Sequence, residues 1–418
     1  MNTATTTADN ISQTPPFLKG MLTSRSWRGR PYLISPVIDF LMVGGAAYIV
    51  GALLMFLVSQ DLTSGAIYQG QANISGFWLS ILAAILAYHV FFVNYPHFAF
   101  SYQLMYRDFG KKVRGQELPR HMQMRYIFAG VVVPIVFVYY YSTTVLQGDL
   151  VALGYVVNVM FLLVGWHYAK QSFGVMVVLH GLKGIYFGKW QRRLLLTNIY
   201  LVWITTWVLS NFSAYESQFW GVPYSSIMLP ALLPSFLDDY WLFQNTLHTA
   251  CWIFFGATVL MLLAKATQEK RWLSFTGLVG YSTLYSYLLV VHYVHPLWLF
   301  FVPAFHSLQY MLFVIAFKRN ESELKHKEAA GEYTQKTAKR AAYGFLAFAA
   351  IGGLIGAMQF EWAPRLLDYL IDDAHTLAIP TLFLAMFHLF VNIHHYFIDN
   401  VIWRKDNPEV GRYLMIRH

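Results

Sequence analysis

The residues best suited to chemistry in this chain are histidines that fall inside apolar stretches. In the segment 376–402, His388, Asn392, His395 and Asp399 follow one another at spacings of four, three and four. At about 3.6 residues per turn these four form one stripe on a helix, and His394 lies about 100° around from His395. Three other apolar segments carry a polar stripe of their own: Asn94, His97 and Ser101; His167, Lys170 and Gln171; His306, Gln309 and Tyr310. Neutral imidazole is a ligand for iron, zinc and copper, and a carboxylate among imidazoles suits a non-haem iron site. The single cysteine, Cys251, excludes a cysteine-based metal site and an internal disulfide framework. The candidate metal environment is therefore His97, His167, His306, His388, His394, His395 and Asp399. That set could hold two irons, or one iron with supporting partners. Lys170, Gln171, Gln309 and Asn392 are the candidate catalytic groups: the amides could orient ligands, and Lys170 could pair with Asp399 or Asp39, or hold an acidic head group.

Lipid cannot satisfy such stripes, so the helices that carry them are expected to turn them toward one another. The composition requires a membrane setting. Of 418 residues, 57% are hydrophobic and 12% charged, against about 25% charged in soluble globular chains. Spans of about 20 mostly apolar residues occur at 37–59, 77–104, 125–146, 151–180, 194–211, 245–265, 274–293, 297–317, 341–360 and 376–402. The expected fold is an all-α, polytopic membrane bundle of about ten transmembrane helices, with a turn around Val294-His295-Pro296. Residues 1–36 read as a polar cytoplasmic arm, 37–403 as a single transmembrane domain and 404–418 as a cytoplasmic tail. The inner loop 318–340 could extend a helix beyond the membrane, and the aromatic loop 212–244 suits the outer interface.

Charge sorting supports this layout. With ten spans, 28 of the 30 basic residues fall on one side or at its helix ends, while Arg365 sits opposite and Lys170 lies within a span. The opposite side carries Asp61, Asp149, Glu216, Asp238, Asp239, Glu361, Asp368, Asp372 and Asp373. Basic residues mark the cytoplasmic side, so both termini are expected there, in a bacterial inner membrane. The net charge of +9 is thus explained by topology and anionic lipid, and nucleic acid is not required. No GxxxxGK[ST] or GxGxxG motif is present, which leaves nucleotide chemistry without support.

The segments FHSLQY (305–310) and NIHHYFIDNVIWR (392–404) resemble recurring motifs of a bacterial multi-pass membrane family, HxxQY and HHYxxDxxWR. That resemblance covers little more than two helices and carries over His306, Gln309, His394, His395, Asp399 and Trp403. More loosely, the layout is similar to the bacterial β-carotene-cleaving dioxygenases (Brp/Blh), all-helical membrane enzymes whose iron is held by histidines from separate helices. Membrane desaturases require histidine boxes that this chain lacks; only His394 and His395 are adjacent. The leading expectation is a membrane-embedded non-haem iron oxidoreductase that acts with O₂ on a lipid or isoprenoid-like substrate, an apolar small molecule drawn from the membrane, with an external electron donor. The alternatives are a transporter or channel that moves protons or anions through His and Lys170, and a haem-binding redox protein; another transition metal is also open. His89, His180 and His248 are expected in structural or interfacial roles.

Overall fold

The computed structural model describes residues 32–60, 76–115, 118–211, 218–225, 227–236, 238–288, 298–371, 379–404 and 406–414. Most of the arm 1–36, the turn at Val294-His295-Pro296 and the last four residues of the tail lie outside them.

Apolar segments that cannot leave backbone groups unpaired in lipid become helices, and the described residues form an all-α bundle. We number its ten long helices α1 (36–60), α2 (76–106), α3 (Arg120–Gln147), α4 (Leu150–Leu182), α5 (Lys189–Ser210), α6 (Tyr240–Glu269), α7 (Phe275–Leu288), α8 (Trp298–Ala330), α9 (Gln335–Leu370) and α10 (Leu382–Ile402). Among the described residues, seven are long and apolar enough to cross a membrane: α1, α3, α4, α6, α8, α9 and α10. This corrects the expected ten. The C-terminal half of α2 spends positions on Asn94, Pro96, His97, Ser101 and Gln103, and α5 on Asn198, Thr205 and Thr206. Only 14 residues of α7 lie in the described part. As expected, α8 runs well past Lys318, ending at Ala330.

The central helices are those that carry the histidine stripes. In the most apolar window of α8, 72% of residues are buried, and 61% in α10, against 17–28% in α1, α3, α6 and α9. A two-stranded hairpin, Gln218–Phe219 with Val222–Pro223, lies near the start of α10. Trp220 and Gly221 form its turn, both at positive φ, and the Thr381 hydroxyl donates to the Trp220 carbonyl at 2.6 Å.

Four long helices widen by a π-turn, and in three of them the π-turn ends two residues before a proline. Val90–Asn94 precedes Pro96 in α2, Phe128–Val132 precedes Pro134 in α3, and Met358–Trp362 precedes Pro364 in α9. Proline lacks an N–H and its ring collides with the carbonyl four residues back. A wider turn removes that collision while the helix continues. In α1, the π-turn Leu41–Gly45 instead contains Gly44 at φ 151°, and the Val43 carbonyl there accepts from Gln309 Nε2 at 2.7 Å. The α9 glycines Gly352, Gly353 and Gly356 lie against α2, where a Cβ on Gly352 would come within 2.7 Å of Ala99 Cβ and one on Gly353 within 2.8 Å of the Phe91 carbonyl oxygen. Small residues thus bring the backbone of α9 close to the widened segment of α2.

Candidate metal centre

Four helices converge on one buried point. His97 comes from α2, His167 from α4, His306 from α8, and His395 and Asp399 from α10. All five are at most 7% exposed. His97 Nε2 lies 3.0 Å from His395 Nε2. Asp399 Oδ2 lies 3.3 Å from His395 Nε2 and 3.6 Å from His167 Nε2. The rings of His167 and His306 are 4.8 Å apart with their planes at 68°. Two overlapping groups, His97/His306/His395 and His167/His395/Asp399, each have potential ligand atoms within 4.8 Å of one another, and His395 belongs to both.

The hydrogen bonds around the cluster point ligand lone pairs inward. His97 Nδ1 is 2.6 Å from the Asn94 carbonyl. A carbonyl only accepts, so Nδ1 carries the proton and Nε2 presents a lone pair to the cluster. Ser307 Oγ braces this arrangement, 2.6 Å from Asn94 Oδ1 and 3.2 Å from His97 Nδ1. Asp399 is held by one oxygen: Oδ1 accepts from Ser101 Oγ at 2.9 Å and from Tyr310 at 3.3 Å. Its other oxygen, Oδ2, has no hydrogen-bond donor, and neither do Nε2 of His167, Nε2 of His306 or Nδ1 of His395. The ion-pair contacts of Asp399 among the described residues are to imidazoles alone.

These features fit a metal cation. A buried carboxylate without a fixed positive partner is costly, and so is each orphaned polar atom. One cation would compensate Asp399 Oδ2 and the Nε2 atoms of His167 and His306 together. Two nitrogens bound about 2.1 Å from a metal at right angles lie about 3.0 Å apart, which matches His97 and His395. The same geometry does not fit a haem. Two axial imidazoles need nitrogens about 4 Å apart on opposite faces of a clear slab, whereas His97 and His395 have their Nε2 atoms 3.0 Å apart and their ring centroids 4.6 Å apart.

Of the predicted residues, His97, His167, His306, His395 and Asp399 are brought together, and His388 and His394 are not. His388 stands seven residues from His395, about 10 Å along a helix axis. Its Nδ1 meets the Leu384 carbonyl at 2.9 Å, and its ring packs on Trp220 and Phe360. His394 points away, as its phase requires: Nε2 donates to the Ala129 carbonyl at 3.0 Å, and Nδ1 faces the Tyr102 hydroxyl at 2.8 Å. Lys170 is exposed, and its ammonium sits 6.0 Å from the Trp166 ring. The expected pairing with Asp399 or Asp39 is therefore absent; Asp39 caps the backbone of Ile34 and Ser35 instead.

Of the predicted amides, the two glutamines are stitches between helices, while Asn392 bonds within α10. Gln171 Nε2 donates to the His306 carbonyl at 3.0 Å and to Gln309 Oε1 at 2.9 Å, tying α4 to α8 behind the cluster. Asn392 Nδ2 donates to the His388 carbonyl at 2.7 Å and Oδ1 accepts from Tyr396 at 3.2 Å. His89, as expected, bonds across helices to the Ala304 carbonyl at 2.8 Å, and His180 is buried on the Met176 carbonyl at 2.8 Å. Ser307 was not singled out by sequence; its only signal is a position one turn beyond Pro303, whose carbonyl it also reaches at 2.8 Å.

The fold and site define a class: an all-α bundle with membrane-crossing helices and a buried histidine–aspartate cluster able to bind a metal. No known family model matches the chain, and no curated protein or solved structure is similar enough to count as a relative.

Proposed function

We propose that this protein is an integral-membrane metalloenzyme of the bacterial inner membrane, a non-haem iron oxidoreductase that acts with O₂ on a lipid or isoprenoid-like substrate. The observation that carries this reading is the convergence of four imidazoles and one carboxylate from four helices, with Asp399 Oδ2 and the Nε2 atoms of His167 and His306 lacking hydrogen-bond partners. His97, His167, His306, His395 and Asp399 would hold a single iron, because both ligand groups share His395. The ion would supply one-electron redox chemistry and O₂ activation. The protein's own part is placement. Ser101 and Tyr310 fix Asp399, the Asn94 carbonyl fixes the tautomer of His97, and Gln171 and Gln309 fix the backbone that carries His306. Phe98, Tyr168 and Tyr396 pack directly on the cluster imidazoles. They exclude water and favour an apolar substrate that enters from the bilayer.

Proton or anion translocation is less well supported, because Lys170, the cation it would use, faces outward. Reducing equivalents would come from an external donor. The excess of basic residues on one set of helix ends supports cytoplasmic termini. Elemental analysis of detergent-purified protein tests the reading: iron near one equivalent in the wild type and none in His395→Ala is expected. Wild-type protein free of transition metal, after purification without chelator, would overturn it.

A further inference from the structure

Apart from the metal cluster, a cavity of about 320 Å³ lies between α2, α8 and α9 at the basic end of the bundle. Its floor is aromatic. Phe100 of α2 packs against Phe345 and Phe348 of α9, with ring centroids 4.7 Å apart in both pairs. Its rim is cationic, with Arg107 just beyond α2 and Lys318 and Lys325 on α8. Glu321 is the one carboxylate in the lining, and all three cations converge on it: Arg107 at 2.6 Å, Lys325 at 2.8 Å and Lys318 at 3.5 Å. Arg107 is also held by Glu409 at 2.9 Å. Lys318 and Lys325 therefore share a carboxylate that Arg107 already engages, and the rim keeps an excess of positive charge.

Two further observations point to an occupant. Gln103 lines the cavity, and its Oε1 is buried with no hydrogen-bond partner. Gly344 also lines it, and a Cβ built there would meet no atom within 4 Å. The cavity also sits where α8 changes from buried apolar residues, Val314, Ala316 and Phe317, to Lys318 and Arg319. That is the depth at which a lipid changes from chain to head group.

We propose that this cavity binds an anionic phospholipid. The phosphate sits against Lys318 and Lys325, a head-group hydroxyl donates to Gln103 Oε1, and the first methylenes of a chain lie on the phenylalanine floor. The apolar floor selects a lipid over a soluble phosphate, because a free anion leaves it uncovered. The proposal does not rest on the metal reading, since none of its residues belongs to the cluster.

The test uses full-length protein in detergent, titrated with micelles containing phosphatidylglycerol or phosphatidylcholine, with bound lipid counted by native mass spectrometry. Phosphatidylglycerol is expected to be retained and phosphatidylcholine not. The double variant Lys318→Gln/Lys325→Gln is expected to weaken retention by about tenfold or more. Gly344→Trp, which fills the space and removes no charge, is expected to do the same. Inorganic phosphate is expected to compete poorly. Equal retention of the two lipids by the wild type, or unchanged phosphatidylglycerol retention in the variants, would overturn the proposal. So would displacement by millimolar phosphate, which would mark the ligand as a soluble anion. Melting temperatures in phosphatidylcholine micelles report whether each variant folds; should the tryptophan variant not fold, the lysine pair decides.

Discussion

His395 occupies the position on which both ligand groups depend, and its neighbour His394 looks into a different pocket of Tyr102 and Ala129. Adjacent residues with identical side chains should therefore behave differently. His395→Ala should lose bound metal altogether, while His394→Ala and His388→Ala should keep wild-type metal content; elemental analysis of the three variants checks this. Metal loss in His394→Ala from protein that still melts cooperatively would contradict the assignment. Asp399 is poised by two hydroxyls on the oxygen that faces away from His395. The double variant Ser101→Ala/Tyr310→Phe leaves every ligand in place but frees the carboxylate to rotate. It should bind metal about 10–100-fold more weakly, as measured by competition with a calibrated chelator. Much of this was legible in the residues. Phase alone separates His394 from His395, and a spacing of seven already places His388 too far along the axis to share an ion with His395. The destination of Lys170 was not legible: a long side chain inside an apolar run can turn inward to a carboxylate or outward along the surface, and only packing decides.

At the scale of elements, the stripes on α2, α4, α8 and α10 predicted convergence because lipid offers polar side chains no partner, and these are the helices that meet. Helical periodicity does not reveal the π-turns, each of which shifts the helical phase between the segments on either side of it. The prolines at 96, 134 and 364 were their visible mark. The turn at Val90–Asn94 matters most, since it ends at the residue whose carbonyl orients His97. The glycines of α9 hold this region at close approach. Gly353→Ala would bring a methyl within 2.8 Å of the Phe91 carbonyl oxygen, and backbone cannot yield as a flexible side chain does. A cost of about 1–3 kcal/mol and reduced metal occupancy are expected. Gly344→Ala on the same helix, where a Cβ meets open space, should leave both unchanged. Thermal melting alongside metal analysis checks the pair.

For the whole molecule, hydropathy and charge predicted the helices and their order but overstated how many, among the described residues, meet the requirement for crossing a membrane. Polar residues that belong to packing, such as Asn198 bonded to Tyr281 at 2.9 Å, lower the apolarity of a helix without removing it from the bundle. The centre joins helices far apart in sequence, from His97 on α2 to Asp399 on α10. The cluster holds a buried carboxylate oxygen and imidazole nitrogens with no hydrogen-bond partner, an arrangement that, without a cation, would oppose their close approach. A bound cation would replace that opposition with four-helix cross-linking. An ion that binds the native state alone stabilises it by about 4 kcal/mol at a thousandfold excess over its dissociation constant. Chelator-stripped protein should therefore melt at a lower temperature than metal-loaded protein, and re-addition of ferrous iron should restore the difference. The same treatment applied to His395→Ala should move its melting temperature little, because the site that couples α2, α4, α8 and α10 is already broken. A wild-type protein whose melting temperature ignores both chelator and iron would show that the four helices hold together without an ion, and the cluster would then be a hydrogen-bonded core.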